Sequence, residues 1–434
     1  MGNFSFGAIA AAAGVASPLA LVVAGVAILL KLNSLVEFTK ETPSTGSYIS
    51  YIGKAFGPVA GIITAWALAF GYTVAVGYVI AVIGGWTTLI FRLYLHVAIP
   101  WEVFTVVFVG LVWYLVYRGV RISTRWAVVT FGVEMLMIVV SMVAIIATNT
   151  THLSLASFNP ANIKNGLSGI GMAFPLAVFM FIGVGNPSAM VEETKSARTA
   201  VPRAIYTSTI IISVIYLLMA WTTSVGFNNN AAVIGGLSAP FVTAASKALG
   251  PISILVYLGG FASTIASLIG ATNAQTRMIF SAGREGLLPS AFGRLSRYRT
   301  PWVSVTLYLG FSLVMTLIWA SHASPLVMAG IIATLGTIPV AVVYLALNIA
   351  VPVYFLRDAR PHFRVWNHLI VPILGCLFLA LPLWGLIQPN QPAPFNVFPW
   401  IILAVLVISA VYAVVRTRQH PDLRDRVGSV VADE

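Results

Sequence analysis

Eleven apolar runs of about 20 residues constrain the fold of this chain more than any other feature of its sequence. A membrane helix needs about that many apolar residues, and only helices or closed barrels satisfy their backbone polar groups within a bilayer. With 59% hydrophobic and 8% charged residues, the chain cannot be an ordinary soluble enzyme. The sequence therefore predicts an all-α polytopic membrane protein with spans near 17–38, 58–86, 102–118, 123–147, 170–192, 205–227, 251–281, 303–320, 326–356, 368–388 and 396–415.

The net charge of +12 follows membrane topology and does not indicate a nucleic-acid site. When the C-terminus is placed inside the cell, all but four of the 24 Lys and Arg lie on the cytoplasmic side. Arg92, Lys164 and Lys247 lie outside, and Lys31 lies within a span. This asymmetry obeys the positive-inside rule. We expect a multi-pass protein of the cell inner (plasma) membrane, with the lipid bilayer and a small-molecule substrate as its partners.

The two ends of the chain have different predicted structures. Residue 17 lies outside in this orientation, and the 16 residues before it are too few for a span. We therefore expect a truncated first helix, with a re-entrant or interfacial segment as the alternative. A short interfacial helix is predicted around 46–56, and the polar tail 416–434 is predicted to be disordered.

The sequence Gly183-Val-Gly-Asn-Pro187 interrupts the fifth apolar run, 170–192. Pro removes a backbone donor and Gly weakens helices, so we expect the helix to break here. Asn186 is suited to an N-cap and Pro187 to the first helical position. Gly183 and Gly185 would let the backbone unwind and approach a ligand closely. The run therefore predicts two half-helices that meet within the membrane.

Such a break can bind both ends of a zwitterion. The N-terminus of the second half-helix favours a carboxylate, and the carbonyl groups near Phe181 and Ile182 could receive an ammonium or another cation. Together they suit an amino acid. The alternative is a Pro-kinked helix whose break serves packing alone.

Three segments carry a resemblance to the amino acid–polyamine–organocation (APC) transporters. The first, "GMAFPLAVFMFIGVGNPSAMVEETKSARTAVPRAI" (171–205), resembles the sixth span and the following loop of that family. The segment "FASTIASLIGATNAQTRMIFSAGREGLLPSAFGRL" (261–295) resembles its eighth span, and "PSTGSYISYIGKAFGPVAGIITAW" (43–66) resembles its loop and third-span entry. The resemblance covers nearly the whole chain.

This resemblance implies a leucine-transporter-like five-plus-five inverted repeat with two additional C-terminal helices. The first repeat would be 1–147 and the second 166–356, followed by two appended spans in 366–415 and the cytoplasmic tail 416–434. The implied function is secondary active transport of amino acids by alternating access, proton-coupled or by exchange. An amine or polyamine permease is the main alternative, and a non-transporting membrane sensor or a truncated product is the other.

The sequence departs from the family at two places. Gly185 stands where the family often has Glu, which argues mildly against a highly cationic substrate. The Gly-rich N-terminal "GNFSFG" would be only part of the break in the family's first span. The residues that we expect to bind substrate are Phe4, Ser5, Gly7, Tyr72, Phe179, Phe181, Ile182, Gly183, Gly185, Asn186 and Ser188.

A few polar residues are candidates for coupling or gating. Glu134 is the only acidic residue in the middle of a span, so a proton-coupling role competes with a structural hydrogen bond. Ser263 and Thr264 resemble the hydroxyl pair that completes a sodium site in sodium-coupled relatives. Lys31 is expected to snorkel towards the cytoplasmic side. Glu192 and Glu193 could form a gate with cytoplasmic Arg residues, or an ordinary interfacial cluster.

The sequence offers no signal for a metal, a cofactor or an enzymatic reaction. None of the six His residues pairs with Cys, Asp or Glu at the spacing of metal ligands, and Cys376 is the only cysteine. A G-x-x-x-x-G-K-[ST] phosphate loop is missing, so direct ATP-driven pumping is not expected. We expect a transporter without a cofactor and not an enzyme.

Overall fold

A computed structural model describes residues 2–321, 323–387 and 393–427 of the chain, and helices form nearly all of that part. Two short π-helical stretches, Phe91–Leu95 and Trp366–Ile370, extend helices α4 and α14. The α-helices are α1 Gly2–Ala13, α2 Ser17–Glu41, α3 Tyr48–Phe56, α4 Pro58–Ile90, α5 Trp101–Arg118, α6 Val120–Thr148, α7 Gly166–Met180, α8 Ala197–Gly226, α9 Ala231–Gly235, α10 Pro240–Leu249, α11 Ile254–Arg284, α12 Trp302–Ala320, α13 Pro325–Arg357, α14 Val371–Ile387, α15 Phe398–Gln419 and α16 Leu423–Arg426.

The predicted all-α polytopic membrane fold is confirmed. Within the described ranges, nine helices are long and apolar enough to cross a membrane, judged by length and composition. The two other predicted spans, 170–192 and 368–388, coincide with the shorter apolar helices Gly169–Met180 and Trp366–Ala380. The first of these is short because the chain leaves the α-helix at Met180.

The centre of the molecule is the long contact between α4 and α13, against which α2, α3, α11, α12 and α15 pack. Small residues allow the backbones to approach closely at this contact. A β-carbon on Gly336 would lie 2.7 Å from the Cα of Ala75, and one on Gly71 would lie 2.9 Å from the Pro339 side chain. Small residues at helix contacts are typical of membrane proteins, where packing rather than the hydrophobic effect holds the helices together.

The first helix differs from the prediction. Residues Gly2–Ala13 form one continuous α-helix, so the partial break expected in "GNFSFG" is not there. Gly7 instead lies against the Leu237 carbonyl oxygen, where a β-carbon would overlap it. The side chains of Phe4 and Ser5 lie outside the described part of the chain. The helix ends at Ala13; the next residue, Gly14, has a φ of +73°, which favours glycine, and α2 begins at Ser17.

The predicted short helix around 46–56 and the predicted disordered tail have different outcomes in the structure. The short helix around 46–56 is present as α3, but most of its residues are buried within the protein rather than exposed at a membrane surface. The prediction of a disordered tail is wrong up to residue 427. Leu423 and Val427 are buried, and they pack against Gly286 and Gly53 respectively. Two apolar side chains in a polar segment were enough to dock it on α3 and on the turn after α11.

Candidate functional site

The predicted interruption of the fifth apolar run is confirmed in the structure. α7 ends at Met180, residues 181–185 form successive turns, and a 3₁₀-helix covers Asn186–Glu193. We call residues 181–185 the break. Gly183 adopts a φ of +107°, which explains the glycine at that position. Pro187 lies at the start of the second helix as predicted, but Gly185 rather than Asn186 is its N-cap, and no side chain caps it.

The break leaves backbone polar groups available beside a cavity. The Met180 carbonyl accepts a hydrogen bond from the Tyr216 hydroxyl at 3.1 Å, and the Gly183 carbonyl accepts one from the Asn186 N–H at 2.9 Å. Among the residues that the structure describes, the Ile182 carbonyl and the Gly183 N–H have no hydrogen-bond partner. These two groups belong to one peptide unit, between Ile182 and Gly183, which is thus unpaired where the two half-helices meet and whose carbonyl and N–H point in opposite directions.

A cavity of about 460 Å³ lies against this break. Helices α4, α6, α8 and α11 form its other walls, and most of its lining is apolar. The polar side chains at its surface include Glu134, Ser208 and Gln275. A concave, largely apolar cavity with a few polar groups is typical of a small-molecule binding site.

The structure brings only some of the predicted substrate-binding residues to this cavity. Those that line it are Phe179, Ile182, Gly183 and Asn186. Phe181 turns away and packs edge-on against Tyr216, with ring centroids 5.5 Å apart.

The other predicted contacts lie behind the break. Ser188 is fully buried, where its hydroxyl lies 2.6 Å from that of Ser47 and donates to the Gly185 carbonyl at 2.7 Å. Tyr72 is buried between helices, where its hydroxyl is hydrogen-bonded to that of Tyr344. Apolar spans do not reveal which helix face meets a cavity, so the sequence could not separate these residues from the lining ones.

The structure brings two of the three predicted coupling residues together. The Ser263 hydroxyl in α11 donates to a carboxylate oxygen of Glu134 in α6 at 2.5 Å. Glu134 lies at the cavity wall, whereas Ser263 is fully buried behind it. Thr264 donates to the Phe261 carbonyl of its own helix at 2.8 Å and does not reach Glu134. The cavity thus contains one carboxylate with a neutral hydrogen-bond partner.

Lys31 does not snorkel, contrary to the sequence-based expectation. Its side chain is fully buried, and its ammonium donates to the Tyr48 hydroxyl at 2.5 Å and lies 3.4 Å from the centroid of the Tyr344 ring. Burial raises the pKa of Tyr48, so this phenol stays protonated. Sequence analysis missed Tyr48 and Tyr344, because they lie 17 and 313 residues from Lys31 and nothing in their spacing connects them.

Two ion pairs join the 3₁₀-helix to α11 at one end of the molecule. Glu193 pairs with Arg277 at 2.9 Å and Glu192 with Arg284 at 2.8 Å, so both predicted gate candidates have Arg partners. The Arg277 side chain is only 9% exposed, whereas that of Arg284 is 35% exposed. Removing the partner of the more buried cation is the more costly change.

Comparison with known proteins matches residues 1–409 to the family described as "Amino acid permease". The branched-chain amino acid permease BcaP of Bacillus subtilis is 27% identical over 400 residues, covering 86% of this chain and 82% of that permease. The methylthioribose transporter of the same organism is 24% identical, with 92% and 86% covered. The low-affinity putrescine importer PlaP of Escherichia coli is 23% identical, with 85% and 80% covered.

Proposed function

This chain belongs to the amino acid permease family, and we propose that it carries amino acids across the cytoplasmic membrane by secondary active transport. The observation that carries the proposal is the break between α7 and the 3₁₀-helix, which places the unpaired peptide unit between Ile182 and Gly183 at the wall of a cavity. Broken helices at a cavity wall are a common way for transporters to bind their substrates.

An amino acid fits this arrangement at both of its charged ends. The N-terminus of the 3₁₀-helix would bind the carboxylate, because helix N-termini carry partial positive charge. The Ile182 carbonyl, at the end of the first half-helix, would accept the ammonium. The apolar walls from α4, α6 and α8 would then surround the side chain.

Glu134 is the residue that we propose for proton coupling. It lies at the cavity wall between α6 and α11, and its described partner is the neutral hydroxyl of Ser263. Protonation would remove its charge, so the two protonation states would differ in their interaction with a substrate ammonium in the same cavity. That difference is what couples the binding of a proton to the binding of a substrate.

Alternating access would use the repeat architecture that the sequence predicts, with repeats at 1–147 and 166–356 and appended spans in 366–415. The C-terminus would lie in the cytoplasm, as the distribution of Lys and Arg indicates. In that orientation the pairs Glu193–Arg277 and Glu192–Arg284 lie at the cytoplasmic end, where they would hold the 3₁₀-helix against α11 until access opens.

An amine or polyamine permease is the second candidate, since the putrescine importer is among the relatives. The glycine at position 185 weighs against it, because the chain has no carboxylate there to bind an amine. A branched-chain amino acid is the first substrate to test, given the similarity to BcaP.

Uptake into proteoliposomes tests the proposal. The purified chain would be reconstituted and offered labelled leucine, phenylalanine, arginine, glutamate and putrescine, with and without an inward pH gradient. We expect saturable uptake of at least one amino acid, increased by the gradient. No saturable uptake of any amino acid would contradict the proposed function, and uptake of putrescine alone would support the second candidate.

A further inference from the structure

Lys31 is a fully buried lysine beside the break that forms the proposed substrate site. Its side chain is fully buried in α2, in a region where the surrounding helices α3, α4 and α13 contribute Tyr48, Tyr72 and Tyr344. A charged side chain within a membrane protein is costly to bury, and such residues mark substrate pathways. This position therefore requires an explanation beyond packing.

The groups around Lys31 suit an ammonium. Its nitrogen donates to the Tyr48 hydroxyl oxygen and lies over the face of the Tyr344 ring, which is an arrangement that attracts a cation. Across residues 2–321, 323–387 and 393–427, no carboxylate forms an ion pair with it. The titratable groups in contact with Lys31 in these ranges are the phenols of Tyr48 and Tyr344, and neither is a counter-ion.

The break lies immediately beyond the Tyr48 hydroxyl. A β-carbon on Gly185 would overlap that oxygen, so the backbone of the break passes directly over the group that holds the Lys31 ammonium. The opposite side of the break, at Gly183 and Asn186, lines the cavity. Lys31 thus lies behind the backbone to which a substrate would bind, and its charge would act through that backbone.

We propose that Lys31 determines the charge class of the substrate: its ammonium stabilises the substrate carboxylate at the break and disfavours substrates with a net positive charge. The substrate then supplies the counter-ion that the described part of the chain does not provide. The glycine at position 185 contributes no carboxylate, which would otherwise neutralise Lys31 from within the chain. This inference rests on the proposed function and adds to it the residue that selects carboxylate-bearing substrates over diamines.

The test is a ligand–protein double-mutant cycle. Binding of labelled leucine to the purified protein in nanodiscs would be competed with leucine, with leucinamide, which lacks the carboxylate, and with putrescine. The variants are Lys31→Met and Lys31→Arg, and Lys247→Met is the control, since it removes an exposed Lys from a different part of the chain.

We expect the wild-type protein to prefer leucine strongly over leucinamide and putrescine. In Lys31→Met the preference for leucine over leucinamide should fall by roughly tenfold, the scale of a charge interaction across a protein of effective dielectric near 20. Lys31→Arg should keep most of the preference, and Lys247→Met should keep all of it. If Lys31 had only a structural role, Lys31→Met would weaken the binding of leucine and of leucinamide equally and leave the ratio of their affinities unchanged.

The outcomes separate this inference from the proposed function. If the wild-type protein binds no amino acid, the proposed function fails and this inference fails with it. If it binds leucine but the ratio is the same in folded Lys31→Met, only the role of Lys31 is overturned. If Lys31→Met does not fold, the test is competition against labelled leucine on the wild-type protein. Competition by putrescine equal to that by leucine would then overturn the inference.

Discussion

The hydroxyl of Tyr48 fills the space that a side chain at position 185 would need, and this contact explains the glycine in the break. Gly185 has an ordinary φ of −84°, so backbone strain does not require glycine there. What requires it is the Tyr48 oxygen, together with Leu35, whose Cδ2 atom would lie 3.0 Å from a β-carbon at position 185.

We therefore expect Gly185→Ala to destabilise the protein by about 1–3 kcal/mol through overpacking. Combining it with Tyr48→Phe should restore part of that loss relative to Tyr48→Phe alone, because the clashing oxygen is gone. Gly110→Ala is the control, since a β-carbon there meets nothing within 4 Å. Thermal unfolding in detergent measures all four variants, and a Gly185→Ala protein as stable as the wild type would contradict the steric explanation.

Replacing the cavity carboxylate should separate transport from its driving force. We expect Glu134→Gln to abolish substrate accumulation driven by a pH gradient, because the proton-binding group is lost. Exchange of substrate across the membrane, with equal substrate concentrations inside and outside the proteoliposomes, should be retained. Proteoliposome uptake and counterflow measure the two activities. Glu102→Gln, in the first turn of α5, is the control. Accumulation by Glu134→Gln equal to that of the wild type would refute the coupling role.

The two ion pairs between the 3₁₀-helix and α11 should differ in their contribution to stability. Glu193→Gln leaves the Arg277 guanidinium, 9% exposed, without its carboxylate, and we expect a loss of about 1–3 kcal/mol. Glu192→Gln is the matched control and should cost less than about 1 kcal/mol, because Arg284 is better solvated. Equal losses of melting temperature in the two variants would show that burial does not determine the difference.

The docked part of the C-terminal tail should contribute to stability. Leu423 is 2% exposed, so we expect Leu423→Ala to cost about 2–3 kcal/mol and to speed proteolysis of the tail. Leu403→Ala, on the half-exposed face of α15, serves as the control and should have little effect on either measurement. If the tail of Leu423→Ala is as resistant to protease as that of the wild type, the Leu423 contact does not keep the tail docked.

Much of the fold could be predicted because the bilayer imposes a length and a composition on each span. The interruption at Gly183–Pro187 was equally predictable, since Gly and Pro act through the local backbone. The geometry of the second half-helix was less predictable. Asn186–Glu193 forms a 3₁₀-helix that packs against other helices, and the sequence does not show those contacts. The buried tail was missed because Leu423 and Val427 are isolated apolar residues in a polar segment.

The candidate site was predictable in outline only. Residues that the sequence groups on one continuous segment, such as Ile182 and Gly183, lie together beside the cavity. Residues that meet across helices were not, because a span that is apolar on all sides carries no periodic signal for its inner face. Lys31 shows this most clearly: its sequence position suggested snorkelling, and only the positions of Tyr48 and Tyr344 reveal it as a buried cation.

The central claim is that the break binds both charged ends of an amino acid, and competition against uptake of labelled leucine tests it most directly. Proteoliposomes containing the wild-type protein would be challenged with unlabelled leucine, with leucinamide and with 4-methylpentanoate, which lacks the amine. We predict saturable uptake that leucine inhibits strongly and that neither analogue inhibits at the same concentration. Equal inhibition by either analogue, or no saturable uptake at all, would contradict the account.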